Sequence, residues 1–247
     1  LSKDSTNSPF YDADSTIYDN QRWTSKAGAR VNRVQQGILA DLTKGWGDSK
    51  VLEIGPGTAR FTIPLCRMGC KVTILDISPG MLTVAQDNLK EAGVDENLEA
   101  AIEGSVYELP FEDNSFDHAF TFNVLNHLEH AGTAIKELAR VTKPGSTLLF
   151  NFANLNSYFW AAGNKINKSS RAVGQDVYSI WERPSDVRKM IEDAGLDLIG
   201  KSGNVHTPRA MEKCHLGPVV NLLDTISRGG PLRPLAPVQY CLCRKRS

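Results

Sequence analysis

A carboxylate, two glycines and a second carboxylate stand in an order that could hold a small ligand. Glu53-Ile54-Gly55-Pro56-Gly57 ends an apolar run that begins at Val51, and Asp76 closes a second apolar run, Val72-Thr73-Ile74-Leu75, 19 positions beyond Gly57. Glycines at the end of a buried strand bring bare backbone up to a ligand, and an acid roughly 20 residues on is where a nucleotide-binding βαβ unit holds its ribose. Thr58-Ala59-Arg60 fills the stretch in which a dinucleotide fingerprint would place its third glycine. A carboxylate beside the turn repels a pyrophosphate, which seeks helix N-termini and backbone N–H groups. Glu53 instead suits a ligand carrying an ammonium and a sulfonium, which points to S-adenosylmethionine rather than NAD.

Three more motifs follow in order: Leu75-Asp76-Ile77-Ser78-Pro79-Gly80-Met81-Leu82, Leu109-Pro110-Phe111-Glu112-Asp113-Asn114-Ser115-Phe116-Asp117, and Glu137-Leu138-Ala139-Arg140-Val141-Thr142-Lys143-Pro144-Gly145. With them the stretch from Val51 to Gly145 resembles the class I S-adenosylmethionine-dependent methyltransferases of the small-molecule type, which include the ubiquinone and menaquinone biosynthetic enzymes. The resemblance implies S-adenosylmethionine as cofactor, S-adenosylhomocysteine as product, and transfer to an oxygen or carbon of a small metabolite, ahead of a nitrogen. It also implies an antiparallel last strand in the sheet.

Individual residues then acquire candidate roles. Asp76 would accept both ribose hydroxyls, or else cap the helix that follows, a task open to Ser78 as well. Met81 is either plain core or, by resemblance, packs beside adenine with Ile77 next to it, and backbone groups of Ser105 and Val106 could read the adenine edge. Ser105 departs from the family, which usually has an aspartate there. Asn123 falls where the methionine part of the cofactor would lie, or on a plain surface loop. Tyr18, Arg22 and Trp23, with Gly28 behind them, resemble the aromatic N-terminal segment that closes over the methionyl end; Trp23 could equally be a hydrophobic anchor. His127 lies close to the expected position of the transferred methyl, and an imidazole titrates near the pH at which a hydroxyl or acidic carbon must lose a proton. Packing is its rival role, and Tyr178, His206 and His215 are alternative bases.

Composition narrows the field. The 247 residues are 41% hydrophobic, enough for one α/β domain with a sizeable core. Twenty-eight basic residues balance 28 acidic ones, so nothing draws the chain generally to nucleic acid, and the absence of an Asn-Pro-Pro-Tyr-type motif after the fourth strand argues against an RNA or protein methyltransferase. No apolar run approaches the ~18 residues of a membrane span, and the polar start at Leu1 to Ser8 has no signal-peptide core. A cytoplasmic monomer or homodimer acting on a small molecule is expected. The five cysteines, Cys66, Cys70, Cys214, Cys241 and Cys243, are odd in number without paired CxxC spacing, and His118, His127 and His130 lack a regular ligand spacing, so neither disulfides nor a metal site is expected.

The elements that must position these residues alternate. Ser25 caps a helix striped by Val31, Val34, Ile38, Leu39 and Leu42. Strands are expected at Lys50 to Ile54, ending at Asp76, at Leu98 to Glu103, at Phe116 to Phe122, at Ser146 to Phe152 after a Lys143-Pro144-Gly145 turn, and at Val238 to Arg244. Helices lie between them, one running to about Met68 and bringing Cys66 and Cys70 one turn apart. Strand–helix alternation predicts an α/β, Rossmann-like, doubly wound sheet of about seven mostly parallel strands plus helical cover insertions, with ligands at the carboxyl ends of the strands. As one domain the chain divides into an N-terminal lid and helix (1–44), a cofactor-binding core (45–152), a cover insertion (153–183), a helix and strand (184–204), a second cover insertion (205–237), and a last strand and tail (238–247).

Overall fold

A computed structural model describes residues 12, 23–170, 179–204, 222 and 225–247. Helix α1 (Lys26–Leu42) starts where expected: the Ser25 hydroxyl accepts the Gly28 amide at 3.0 Å, and Val31, Ile38 and Leu39 bury the predicted stripe. Then follow β1 (Lys50–Ile54), α2 (Thr62–Arg67), β2 (Lys71–Asp76), α3 (Pro79–Glu91), β3 (Leu98–Glu103), β4 (Phe116–Thr121), α4 (Ala131–Val141), β5 (Thr142–Ala153), α5 (Trp160–Ser170), α6 (Pro184–Asp193), β6 (Leu196–Asn204) and β7 (Val238–Lys245).

The seven strands form one sheet in the order β3-β2-β1-β4-β5-β7-β6. Pairing is parallel from β3 to β5, while β7 runs antiparallel to both β5 and β6. Apolar side chains fill both faces. On one, Leu138 of α4 and Val187 and Ile191 of α6 pack against Leu52, Leu148 and Phe150. On the other, Ile38 and Leu39 of α1, Leu65 of α2 and Leu89 of α3 pack against Val51, Ile74 and Tyr240. Burial on two faces explains why β1 and β2 read as continuous apolar runs rather than alternating ones.

Two local expectations need correction. The helix after the glycine turn is short, because residues 57–61 form turns first and Met68 already ends it. Cys70 therefore lies beyond α2, although both it and Cys66 are buried and unpaired in the same core. Lys143-Pro144-Gly145 does not separate helix from strand, since β5 begins at Thr142. Thr142 pairs with Phe116 and Thr147 with His118, leaving residues 143–146 as a wide bulge opposite Asp117. Gly145 supplies the left-handed turn of that bulge (φ +79°), and Lys143 Nζ meets Asp117 Oδ1 at 2.7 Å.

Candidate functional site

The carboxyl ends of β1, β2 and β4 open into a pocket. Its floor is the turn after β1. Gly55 bonds back to Leu75 O at 2.9 Å and takes φ +66°; a Cβ there would come within 2.3 Å of Val124 Cγ2. Gly57 also lies in the left-handed region, and so does Ala59 (φ +63°), a side-chain-bearing residue in the conformation glycine tolerates best. The backbone thus keeps the shape of a glycine-rich loop beyond the last glycine.

One wall comes from the motif residues of β2 and β3. Asp76, Ile77, Met81, Ser105 and Val106 all line the pocket. Ser78 caps α3 by accepting the Met81 amide at 3.1 Å, which leaves Asp76 to accept the Ser78 amide at 3.0 Å through Oδ1. The capping role considered for Asp76 therefore belongs to Ser78. Burial pushes the Asp76 carboxyl up to about 6; the Ser78 and Ile77 amides oppose that rise, and the Asp12 carboxylate adds to it. Asp12 itself accepts Ser78 Oγ at 2.5 Å and Gly80 N at 3.0 Å, which seats a residue of the N-terminal stretch at the start of α3 beside the pocket.

A second part of the lining, the other wall, holds Arg60, Asn123 and His127. Asn123 has φ +61° and exchanges two bonds with Asn151: its amide donates to Asn151 Oδ1 at 2.7 Å, and Asn151 Nδ2 donates to Asn123 Oδ1 at 3.0 Å. These bonds fix the side chain of a half-buried residue just beyond β4. His127 sits in a 3₁₀ turn, its Nε2 3.0 Å from Asn126 Nδ2. Sequence reasoning passed over Arg60. Its guanidinium lies between the Trp23 and Phe61 rings, 3.9 and 4.0 Å from their centroids, and donates to Asn32 Oδ1 and Gln35 Oε1 at 2.9 Å each. The signal was a cation directly after the glycine turn, but its partners lie 25 and 28 residues upstream.

Two expected pocket residues stand back from it. Glu53 is 1% exposed and accepts Thr62 Oγ1 at 2.7 Å beneath the turn, because β1 is covered on both faces. Burial drives its carboxyl up to about 8, against the Thr62 bond and the Arg60 charge, with Asp76 adding to the rise. Trp23 itself does not line the pocket but stacks on Arg60, which does, and among the described residues its buried Nε1 has no hydrogen-bond partner. Tyr18, Arg22, Tyr178, His206 and His215 lie outside the described residues. Among the described residues no cluster of three His, Cys, Asp or Glu could hold a metal ion, and no helix is long and apolar enough to cross a membrane.

The pocket fits S-adenosylmethionine. Left-handed backbone at Gly55 and Gly57 leaves room at the floor, an acid stands at the end of β2 for ribose hydroxyls, and Met81 and Val106 offer apolar surface for a flat base. Comparison with known proteins agrees. Residues 52–150 match the family described as a methyltransferase domain. The chain is 26% identical over 185 residues, 72% of its own length and 74% of the relative's, to the ubiquinone biosynthesis O-methyltransferase of Idiomarina loihiensis. It is 37% identical over 119 residues, 48% of this chain and 46% of the relative, to the demethylmenaquinone methyltransferase of Corynebacterium glutamicum. In fold it is similar to magnesium protoporphyrin IX methyltransferase from Synechocystis PCC 6803 with bound SAH (TM-score 0.67, 20% identity, 98% of this chain and 97% of that one). It is equally similar in fold to the cyclase SpnF (TM-score 0.71, 18% identity, 98% and 97%), so architecture alone does not name the chemistry. Family match, motif order and pocket together show that this chain resembles the class I S-adenosylmethionine-dependent methyltransferases, the ubiquinone and menaquinone biosynthesis enzymes among them.

Proposed function

We propose that the chain methylates an oxygen or a carbon, ahead of a nitrogen, of a small quinone-type metabolite. The named activities of the curated relatives support the substrate class. One observation carries the reading: the glycine-turn motif and the motif at the end of β2, separated in sequence, meet at one pocket together with residues 104–106, 122–124 and 127–128, with Gly55 and Gly57 on its floor and Asp76 on its wall. Within that reading Gly55, Pro56 and Gly57 present backbone to the cofactor, Asp76 accepts its ribose hydroxyls, Ile77 and Met81 flank adenine, and Ser105 and Val106 bond its edge. Arg60 and Asn123 face the amino-acid end. Glu53 acts from beneath the turn by holding Thr62, rather than by meeting the ammonium directly.

When bound, the cofactor supplies a methyl group activated by the positive charge on its sulfur. The work left to the protein is to align donor and acceptor and to keep water out. His127, on the wall beside Asn123, is the proposed acceptor of the substrate proton, with Tyr178 and His206 as alternatives from the cover. The stretches 153–183 and 205–237, together with 1–44, are proposed to cover the acceptor. Asp12 supports this, because its contact with α3 ties the N-terminal stretch to the pocket mouth.

Purified protein incubated with S-adenosylmethionine labelled in the methyl group and a reduced demethylmenaquinone is expected to give a labelled, organic-extractable product. Calorimetry runs beside it with S-adenosylhomocysteine. Tight binding without transfer to any quinol would leave the cofactor assignment standing and remove the acceptor class.

A further inference from the structure

One buried amide organises the wall that carries Arg60 and Asn123. Gln35, on α1, is 2% exposed. Its Oε1 accepts Arg60 NH2 at 2.9 Å, while its Nε2 donates to the Tyr240 hydroxyl at 2.9 Å and to Asn123 Oδ1 at 3.3 Å. The direction of these bonds is fixed by chemistry. Arg60 can only donate, so the amide oxygen must face it, and the amide nitrogen then faces Tyr240 and Asn123. Tyr240 takes the amide proton on its oxygen and passes its own to Asn204 Oδ1 at 3.3 Å. Asn123 Oδ1 already receives Asn151 Nδ2, so with Gln35 its oxygen has two donors. The two N–H groups of the Asn123 amide are what this pocket-lining side chain has left to offer a ligand.

We infer that Gln35 is a positioning residue for the amino-acid end of the cofactor, holding the Arg60 guanidinium and the donor face of Asn123 at the pocket through opposite ends of one side-chain amide. The inference rests on S-adenosylmethionine occupying this pocket. It adds a division of labour, since a cation and a neutral donor held this way recognise a carboxylate, while adenosine is left to the Asp76 wall.

Two ligands separate the walls. S-adenosylhomocysteine carries the amino-acid end; 5′-deoxy-5′-methylthioadenosine keeps adenosine and the thioether and lacks it. In calorimetry, Gln35→Leu is expected to weaken S-adenosylhomocysteine by tenfold or more and to change methylthioadenosine by less than twofold. Gln35→Glu conserves shape and the acceptor for Arg60 but has no N–H for Asn123. It is expected to fall between wild type and Gln35→Leu for S-adenosylhomocysteine, again with methylthioadenosine unchanged, and it remains informative if the leucine variant does not fold. Equal losses for both ligands, or none for either, would overturn the inference. Failure of the wild-type protein to bind either ligand would instead remove the cofactor reading on which it rests.

Discussion

The two walls of the pocket are built in opposite ways. The Asp76 wall comes from continuous stretches: β2 runs straight into the Ser78 cap of α3, and residues 77–81 carry two of the lining side chains. The Arg60 wall is assembled from Gln35, Arg60, Asn123, Asn151 and Tyr240, whose bonds span 25 to 205 positions of chain. One wall is apolar with a single acid. The other is a network of uncharged amides around one cation. In the proposed binding mode, the adenosine half of the cofactor is held by a local motif, while the amino-acid end is held by tertiary structure.

The largest effect should come from the floor that both walls share. Gly55→Ala sets a Cβ 2.3 Å from Val124 at φ +66°. Overpacking and left-handed strain together cost about 3 kcal/mol if the turn keeps its shape; a turn that shifts to relieve them loses its fit to the ligand, and S-adenosylhomocysteine is expected to bind roughly a hundredfold more weakly. Gly93→Ala, at φ +65° with nothing within 4 Å, is the matched control and should leave affinity unchanged. His127→Gln tests whether the second wall does chemistry: kcat on the true acceptor should fall by about 10²-fold with cofactor affinity kept. Near-normal turnover in a folded variant would leave alignment alone as the mechanism.

Asp76→Ala breaks the first wall. Two ribose hydroxyls would lose an ionised acceptor, costing about 1.5–3 kcal/mol or at least tenfold in calorimetry. The wild-type protein provides a gentler version of the same test. Because burial raises Asp76 to about 6, S-adenosylhomocysteine should bind progressively more weakly as pH falls through that value, and a flat profile would place the ribose elsewhere.

Glu53 sharpens the comparison through stability. The folded protein keeps its proton up to about pH 8, whereas the unfolded chain releases it near 4.5, so stability is greatest below that window and declines as pH rises across it. Asp76 contributes with the same sign between 3.8 and about 6. Urea unfolding of Glu53→Gln at both ends of the window should show a shallower decline than wild type. The smallest change is expected from Ala59→Gly, which relieves the positive φ and should stabilise by about 1 kcal/mol, a rise of roughly 2–4 °C in Tm.

How much was legible follows the same division. Gly55, Gly57 and Asp76 could be read as pocket residues because strand burial, turn chemistry and an acid at a set spacing are all local signals. The sheet followed from strand–helix alternation, and the antiparallel last strand from resemblance. Arg60 was visible only as the residue standing where a dinucleotide fingerprint has its third glycine, since its meaning depends on the Trp23 ring and on two side-chain amides of α1 as well as on neighbouring Phe61. Gln35 drew no reading at all, because nothing near it in sequence announces Tyr240. Glu53 was misplaced for a related reason: a strand buried on both faces gives no hint of which side an acid takes. The bulge at residues 143–146 escaped because Pro144-Gly145 signals a turn without saying whether pairing has already begun.

The position of β7 has a consequence for how the protein is made. Residues 238–245 are the last strand in chain order, yet they lie inside the sheet, between β5 and β6. During vectorial synthesis β5 must wait as an open edge, with the stretch from Thr147 to Ala153 unpaired, until those residues leave the ribosome. An edge carrying Leu149 and Phe150 invites pairing with another nascent chain. Tyr240 arrives with the same strand, so sealing the sheet and completing the amide network around Gln35 are one late event.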